Sequence, residues 1–150
     1  MTMLYWTFLL LSVSTASLAD ERSGRGKRNV RDLGGVIKCT TGREASSYLG
    51  YGCHCGLGGN GSPKDQTDWC CHKHDCCYDK VNAAGCRTLT NKYRWTCTNN
   101  QVNCGSITDR CDKILCQCDS EFGQCIRNAP YNKKYAFWSN LLCHSSTPGC

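Results

Sequence analysis

The segment Trp69-Cys70-Cys71-His72-Lys73-His74-Asp75-Cys76-Cys77-Tyr78 places a histidine and an aspartate between two pairs of cysteines. Residues 64–79 contain no glycine or proline, which predicts a helix. Four residues share one face of that helix, because they follow the spacing i, i+3, i+4 and i+7: Cys71, His74, Asp75 and Tyr78. The paired cysteines can tie the helix to its neighbours on several sides. Side chains on such a helix have little freedom, as a preorganised site requires.

The cysteine content indicates a secreted, disulfide-linked protein, because 16 of the 150 residues are cysteine and the number is even. The length fits one domain. Fifteen glycines without a period and three prolines exclude the collagen-like and low-complexity classes. After the first dozen residues no apolar run reaches the ~20 residues that cross a bilayer. The formal net charge is +6 for the whole chain. Without the residues predicted below to be removed it is +4, which gives a mild attraction to anionic surfaces that is too weak to name a partner.

The N-terminal residues predict two segments that are removed on secretion. Leu4–Val13 is mostly apolar and is followed by small residues at positions 17 and 19, which predicts a signal peptide over residues 1–19. A buried N-terminal helix is the alternative. Residues 20–28 are charged and end in an R-x-K-R run that convertases cut, which predicts a propeptide rather than a solvated linker. The predicted mature chain, residues 29–150, keeps all 16 cysteines, with 14 basic and 10 acidic residues.

Three more patterns complete the predicted secondary structure. Val30, Leu33, Gly34 and Ile37 follow helical spacing, which predicts a short amphipathic helix weakened by glycine. Residues 51–63 include five glycines and predict a loop, residues 82–101 could form a small hairpin, and residues 128–150 read as an irregular, aromatic tail. Residues 109–125 predict a second long helix with one buried stripe. The stripe consists of Cys111, Leu115, Cys118, Phe122 and Cys125.

His74 is the candidate general base, since imidazole transfers protons near neutral pH. Asp119 is the candidate carboxylate that orients it, because Asp119 follows Cys118 at the edge of the second buried stripe. A bond between Cys77 and Cys118 would bring the two helices together beside it. Asp75 and the glycine-rich loop predict a calcium site of carboxylate and carbonyl oxygens. The chain has no D-x-D-x-D-G run, so this loop is not an EF-hand.

Other interpretations of these residues stay open at this point. A single histidine such as His74 is often structural, and His72, on another face, is expected to be solvated. A zinc site formed by the two histidines and nearby cysteines is possible on spacing. Four other aspartates are interpreted as helix-start charges favoured by the helix dipole: Asp65, Asp68, Asp109 and Asp112. Four aromatic residues belong either to the core or to a membrane-facing collar: Trp69, Trp95, Phe137 and Trp138. Asn60 begins a glycosylation sequon that also reads as a plain turn.

The run C-C-H-K-H-D-C-C-Y-D at 70–79 closely resembles secreted phospholipase A2, together with Y-G-C-H-C-G-L-G-G at 51–59 and C-x-C-D at 116–119. The resemblance covers the whole predicted mature chain, and the 16 cysteines and short propeptide are most like the group X type. It implies a mainly α, disulfide-rich fold over residues 29–150. Two long antiparallel helices linked by disulfides would be accompanied by an N-terminal helix, a glycine-rich calcium loop and a small β-hairpin.

The resemblance also implies roles for individual residues. His74 would take a proton from water, oriented by Asp119, which would accept hydrogen bonds from Tyr78 and Tyr93. Calcium would be held by the Asp75 carboxylate and by the carbonyl groups of His54, Gly56 and Gly58. The Gly56 N–H would help to bind the oxyanion. His54 departs from the family's usual Tyr or Phe, but its metal contact is a carbonyl. The acyl channel would be lined by Val30, Leu33 and Ile37.

The cysteine order of the family implies eight disulfides. The expected pairs are Cys39–Cys97, Cys53–Cys143, Cys55–Cys71, Cys70–Cys125, Cys76–Cys150, Cys77–Cys118, Cys86–Cys111 and Cys104–Cys116. In this family the free α-amino group of the mature N-terminus helps to order the site. Cleavage after Arg28 would therefore activate a zymogen.

The implied function is calcium-dependent hydrolysis of the sn-2 ester of glycerophospholipids by a secreted, extracellular protein. The implied partner is a phospholipid membrane surface, bound peripherally, with a cell-surface receptor as a possible second partner. Nothing indicates nucleic-acid binding, and a monomer is the default. The alternative functions are a non-catalytic receptor ligand or toxin on the same scaffold, and a cysteine-rich inhibitor.

Overall fold

The computed structural model describes residues 27–56 and 59–150. The predicted signal peptide, residues 20–26 of the predicted propeptide, and Gly58 of the expected calcium loop lie outside these ranges. The first helix, α1 (Lys27–Thr41), begins two residues before the expected mature N-terminus. No helix in the described ranges combines the length and hydropathy needed to cross a membrane.

The two long helices predicted from sequence are confirmed, and both extend further than expected. Helix α2 spans Gln66–Ala83 and α3 spans Arg110–Asn128. Each begins after an aspartate, Asp65 or Asp109, whose side chain accepts the N–H three residues on at 2.9 Å. This N-cap bond satisfies a backbone donor that has no partner within the helix, so the interpretation of these two aspartates as helix-start residues is correct.

Helices α2 and α3 run antiparallel, as the order of their disulfides shows. Cys70 of α2 bonds Cys125 near the end of α3, and Cys77 bonds the earlier Cys118. Helix α1 crosses α3 at Gly123, where a Cβ atom would lie 2.8 Å from the Thr40 side chain. A larger residue at position 123 would therefore separate these two helices. The close approach places the apolar face of α1 against the core between the long helices.

A two-stranded antiparallel hairpin follows α2, formed by β1 (Thr96–Thr98) and β2 (Gln101–Asn103). The sequence predicted a hairpin within residues 82–101, and the structure places it at the end of that range and slightly beyond. Asn99 and Asn100 form the turn with φ values of 53° and 60°. Asparagine tolerates this left-handed conformation, and such turns match the twist of paired strands.

All 16 cysteines lie in the described ranges, and all are paired. The eight pairs are those that the family resemblance implied, and they join 39–97, 53–143, 55–71, 70–125, 76–150, 77–118, 86–111 and 104–116. Two of them, Cys53–Cys143 and Cys76–Cys150, join the irregular tail to the glycine-rich loop and to α2. These bonds constrain the unfolded chain and so stabilise a fold with a modest apolar core.

Candidate active site

His74 and Asp119 form a buried pair between the two long helices. The Nε2 atom of His74 lies 2.7 Å from Oδ1 of Asp119, and the Asp119 side chain is fully buried. Because a carboxylate only accepts, Nε2 carries the proton and donates it. The second ring nitrogen of His74, Nδ1, is then the acceptor. The antiparallel helices and the Cys77–Cys118 bond bring these residues together across 45 positions of sequence.

Two tyrosine hydroxyls complete the hydrogen bonding of Asp119. Tyr78 donates to Oδ1 at 2.7 Å, and Tyr93 donates to Oδ2. Tyr78 is one turn along α2 from His74, whereas Tyr93 comes from the segment before β1. Burial raises the pKa of Tyr93, and the negative charge of Asp119 raises it further. Tyr93 therefore stays protonated, and the buried carboxylate keeps three donors, as a charge removed from water requires.

Ring packing fixes the plane of the His74 imidazole. The Phe122 ring stacks on it with centroids 4.5 Å apart, and the Tyr78 ring lies at 4.2 Å on a tilt. The sequence predicted Phe122 only as part of a buried stripe. Its position three residues after Asp119 was the available signal that it also reaches the site. These two ring contacts restrict rotation of the imidazole, so its Nδ1 atom keeps one direction.

Asp75 lies beside His74 on the wall of a cavity of about 520 Å³. Burial raises the pKa of its carboxyl to about 6. Among the described residues no hydrogen-bond donor or salt bridge is found for this carboxylate. A partly buried anion without a partner suits a hard cation such as calcium. His54 and Gly56 line the same cavity, and Gly56 has a φ of 150°, a conformation that favours glycine.

Asp68 holds the loop that carries His54, which its sequence position did not indicate. Its buried carboxylate accepts the backbone N–H groups of Cys53, His54 and Lys64 at 2.7–2.8 Å. A Cβ atom at Gly52 would lie 2.2 Å from the Asp68 carboxyl carbon, so only glycine allows this approach. The interpretation of Asp68 as a helix-start charge is incomplete. Two of its donors lie 14 and 15 residues upstream, beyond any local pattern.

Two of the three expected channel residues reach the cavity. Val30 and Leu33 line it, and Val30 is 62% exposed at the edge. Ile37 lies deeper, buried in a core cluster that includes Phe122 and against which Leu33 also packs, so its place in the channel stays a prediction. It shares the helix face of Val30, but it lies two turns further along α1, where α3 covers that face.

His72 is buried rather than solvated, so the expectation for it was wrong. Its ring lies 4.8 Å from the His54 ring and 5.6 Å from the Trp69 ring. Its Nε2 is 3.8 Å from the sulfur of Cys76. That sulfur and the nearby Cys150 sulfur are joined in a disulfide. Neither is available as a thiolate, which removes the zinc alternative.

The four aromatic residues left open by the sequence separate in the structure. Trp95 and Trp138 are half-buried, and Trp95 packs so closely on α1 that a Cβ atom at Gly35 would lie 2.6 Å from its ring. Trp69 and Phe137 are exposed. Asn60 of the sequon is exposed as well, at the edge of the glycine-rich loop.

Comparison with known proteins gives one consistent result. The family described as Phospholipase A2 matches residues 30–136. The chain is 44% identical to human "Group 10 secretory phospholipase A2" over 83% of this chain and 75% of that one. It is 39% identical to the rat protein of the same name, over 100% of this chain and 99% of the rat protein. It is 47% identical to "Phospholipase A2" of Meiacanthus atrodorsalis, over 95% of this chain and 93% of that protein. With its buried histidine–aspartate pair and its eight disulfides, the chain belongs to the phospholipase A2 family.

Proposed function

We propose that this secreted phospholipase A2 hydrolyses the sn-2 ester of glycerophospholipids at membrane interfaces, with calcium as its cofactor. The products would be a free fatty acid and a lysophospholipid. Family membership supports the enzyme class, and secreted members of the family are generally calcium-dependent. The observation that carries the proposal is the shared cavity: His74, braced by Asp119, opens into the same space as Asp75 and Gly56.

His74 is the proposed general base. Its Nδ1 takes a proton from the attacking water, because Nε2 already carries the proton that it donates to Asp119. The imidazolium that forms is stabilised by the buried carboxylate of Asp119. The proton then passes from Nδ1 to the leaving alcohol of the substrate. Tyr78 and Tyr93 keep Asp119 ionised and fixed by donating to it throughout.

The proposed calcium ligands are the Asp75 carboxylate and the carbonyl groups of His54, Gly56 and Gly58. When bound, the ion polarises the ester carbonyl and stabilises the oxyanion. Asp68 contributes indirectly, because its bonds to the Cys53 and His54 N–H groups fix the loop backbone. The Gly56 N–H is the proposed second donor to the oxyanion. Val30 and Leu33 are proposed to contact the acyl chain, since they form the apolar wall of the cavity.

The proposal extends to processing and assembly. Residues 1–19 would be removed as a signal peptide and residues 20–28 as a propeptide, which leaves a monomer of residues 29–150 bound peripherally to lipid. A cell-surface receptor remains a second proposed partner. A non-catalytic ligand or toxin is the alternative function. No contact in the described residues favours it, and binding alone gives no physical reason for a triply bonded Asp119.

The test is release of fatty acid from phospholipid vesicles by the oxidised, cleaved protein, with calcium and with EGTA. We expect release with calcium and none with EGTA. His74→Gln should lose turnover and still bind vesicles, because the change affects proton transfer and leaves the surface intact. Absence of calcium-dependent release by the parent protein would favour the ligand alternative. Loss of vesicle binding in the His74 variant would contradict its role as a base.

A further inference from the structure

The C-terminal segment, residues 143–150, is cross-linked at its two ends to the two sides of the proposed calcium site. Its first cysteine bonds Cys53, which directly precedes His54 in the glycine-rich loop. Its last cysteine bonds Cys76, which directly follows Asp75 on α2. The segment therefore joins the loop that would supply carbonyl ligands to the helix that would supply the carboxylate.

Two hydroxyl groups of the C-terminal segment accept backbone N–H groups from the end of the glycine-rich loop. The N–H of Gly61 donates to Oγ1 of Thr147 at 2.9 Å, and the N–H of Ser62 donates to Oγ of Ser145 at 2.9 Å. Gly61 is buried, and a buried N–H group without an acceptor costs free energy. The two hydroxyls therefore satisfy donors that the loop itself leaves open.

The segment has little freedom to move away from the loop. A Cβ atom at Gly61 would lie 2.9 Å from the backbone carbonyl of Cys143, so the two backbones are in direct contact. Pro148 follows Thr147, and a proline keeps the preceding residue out of the helical conformation. Both of these residues also line the cavity that contains Asp75. The Thr147 hydroxyl is thus presented to the loop from a backbone that is already restricted.

A restraint at the end of the loop reaches the carbonyl groups at its beginning. The N–H of Asn60 donates to the carbonyl of Cys53 at 3.3 Å, one residue before His54. Residues 51–63 include five glycines, and glycine gives a backbone more conformational freedom than any other residue. Calcium affinity falls in proportion to the fraction of molecules whose loop is in the binding conformation. Contacts that fix this loop therefore raise calcium affinity without contacting the ion.

We propose that Thr147 and Ser145 are positioning residues that hold the glycine-rich loop in its calcium-binding conformation before calcium binds. Each acts through a backbone N–H group of the loop, and neither is a ligand of the ion. The inference rests on the proposed function, because it assigns the loop to calcium. The restraint of the loop can be measured without calcium.

Calorimetric titration of the processed, oxidised protein with calcium tests the role of Thr147. Thr147→Val removes the hydroxyl and keeps the branched shape, and we expect calcium affinity to fall about fivefold because a loop N–H loses its acceptor. Thr147→Ser keeps a hydroxyl and should stay within about twofold of the parent. Parent-like affinity of Thr147→Val, or equal losses in the two variants, would overturn the proposal.

Ser145→Ala tests the second contact, with Ser146→Ala as its matched control. Ser146 is the exposed neighbour, and within residues 27–56 and 59–150 its side chain makes no hydrogen bond. We expect Ser145→Ala to lose about two- to threefold in calcium affinity, because this contact is more exposed to water, and Ser146→Ala to bind calcium like the parent. Equal affinities of these two variants would refute the role of Ser145.

Amide hydrogen exchange in EGTA separates the positioning role from the proposed function. The Gly61 N–H should be protected in the calcium-free parent and exchange about fivefold faster or more in Thr147→Val, with both proteins folded. Unchanged protection would refute the proposal. A lower unfolding midpoint with parent-like calcium affinity would make Thr147 structural only and would refute it as well. If the parent binds no calcium but Gly61 protection depends on Thr147, the proposed function fails and the restraint of the loop stands.

Discussion

Replacing Asp75 with asparagine should stabilise the calcium-free protein at neutral pH while abolishing calcium binding. Burial raises the pKa of the Asp75 carboxyl from 3.8 to about 6. Among residues 27–56 and 59–150, no hydrogen-bond donor offsets the cost of burying its charge. A raised pKa means that the folded state binds the proton more tightly than the unfolded state. The ionised carboxylate therefore destabilises the folded protein above about pH 6, and this penalty disappears below about pH 4.

The pKa difference sets the magnitude of the effect. A rise from 3.8 to about 6 corresponds to at most about 3 kcal/mol. The carboxylate is partly exposed, so solvent screening reduces the expected gain for Asp75→Asn to about 1–2 kcal/mol at pH 8. At pH 4 both proteins carry a neutral group at position 75, and the gain should shrink towards zero.

Guanidinium unfolding in EGTA at several pH values, with disulfides intact, measures this difference. Asp79→Asn is the control, because it removes an exposed carboxylate one turn along α2 and should change stability less. Calcium at about 100 times its Kd should stabilise the parent by about 2.7 kcal/mol and leave Asp75→Asn unaffected. If Asp75→Asn gained no stability at pH 8, or gained equally at pH 4, the account of Asp75 as an unpartnered buried anion would be refuted.

Three further variants test other parts of the site. Asp119→Asn should lower kcat at least about a hundredfold and leave the protein folded, because a neutral amide cannot stabilise the imidazolium. Kinetics on phospholipid vesicles measures kcat, and a turnover near that of the parent would contradict this role. Asp68→Ala should destabilise the protein by about 3 kcal/mol or more and weaken calcium binding, because three backbone N–H groups lose their acceptor. Calorimetric titration measures the calcium affinity, and an unchanged affinity would contradict this reasoning. Arg28→Ala should leave the propeptide attached and lower activity severalfold or more, and equal activity of the uncleaved protein would discard the zymogen proposal.

Local spacing predicted the elements that carry the site. The absence of glycine and proline over 64–79 and the i, i+3, i+4 pattern placed His74 and Asp75 on one helix. Helix N-caps at Asp65 and Asp109 were also readable, because capping involves only residues three positions apart. The hairpin was placed too early in the chain, since residues 84–95 are polar without forming strands.

The contacts that complete the site escaped the sequence because they join distant residues. Asp68 accepts N–H groups from a loop 14 and 15 positions upstream. His72 was expected to be solvated, but its ring is covered by Trp69 and His54, and no spacing rule reports which loop lies over a helix face. Ile37 shares a helix face with Val30, yet Ile37 is buried and Val30 is exposed, because periodicity identifies a face and does not identify what covers it.

From its sequence alone this phospholipase A2 could be predicted to carry a histidine and an aspartate on one helix face, a second aspartate on a later helix, and a disulfide-linked frame. These features follow from helical repeat and side-chain type, which act over a few residues. Only the tertiary structure decided that Asp68 holds the loop and that Phe137 points to solvent. The first depends on loop N–H groups that donate to the Asp68 carboxylate, and the second on backbone hydrogen bonds that join residues 50 and 52 to residues 138 and 135. These segments meet only after the chain has folded, so no periodic pattern in the sequence reports their contacts.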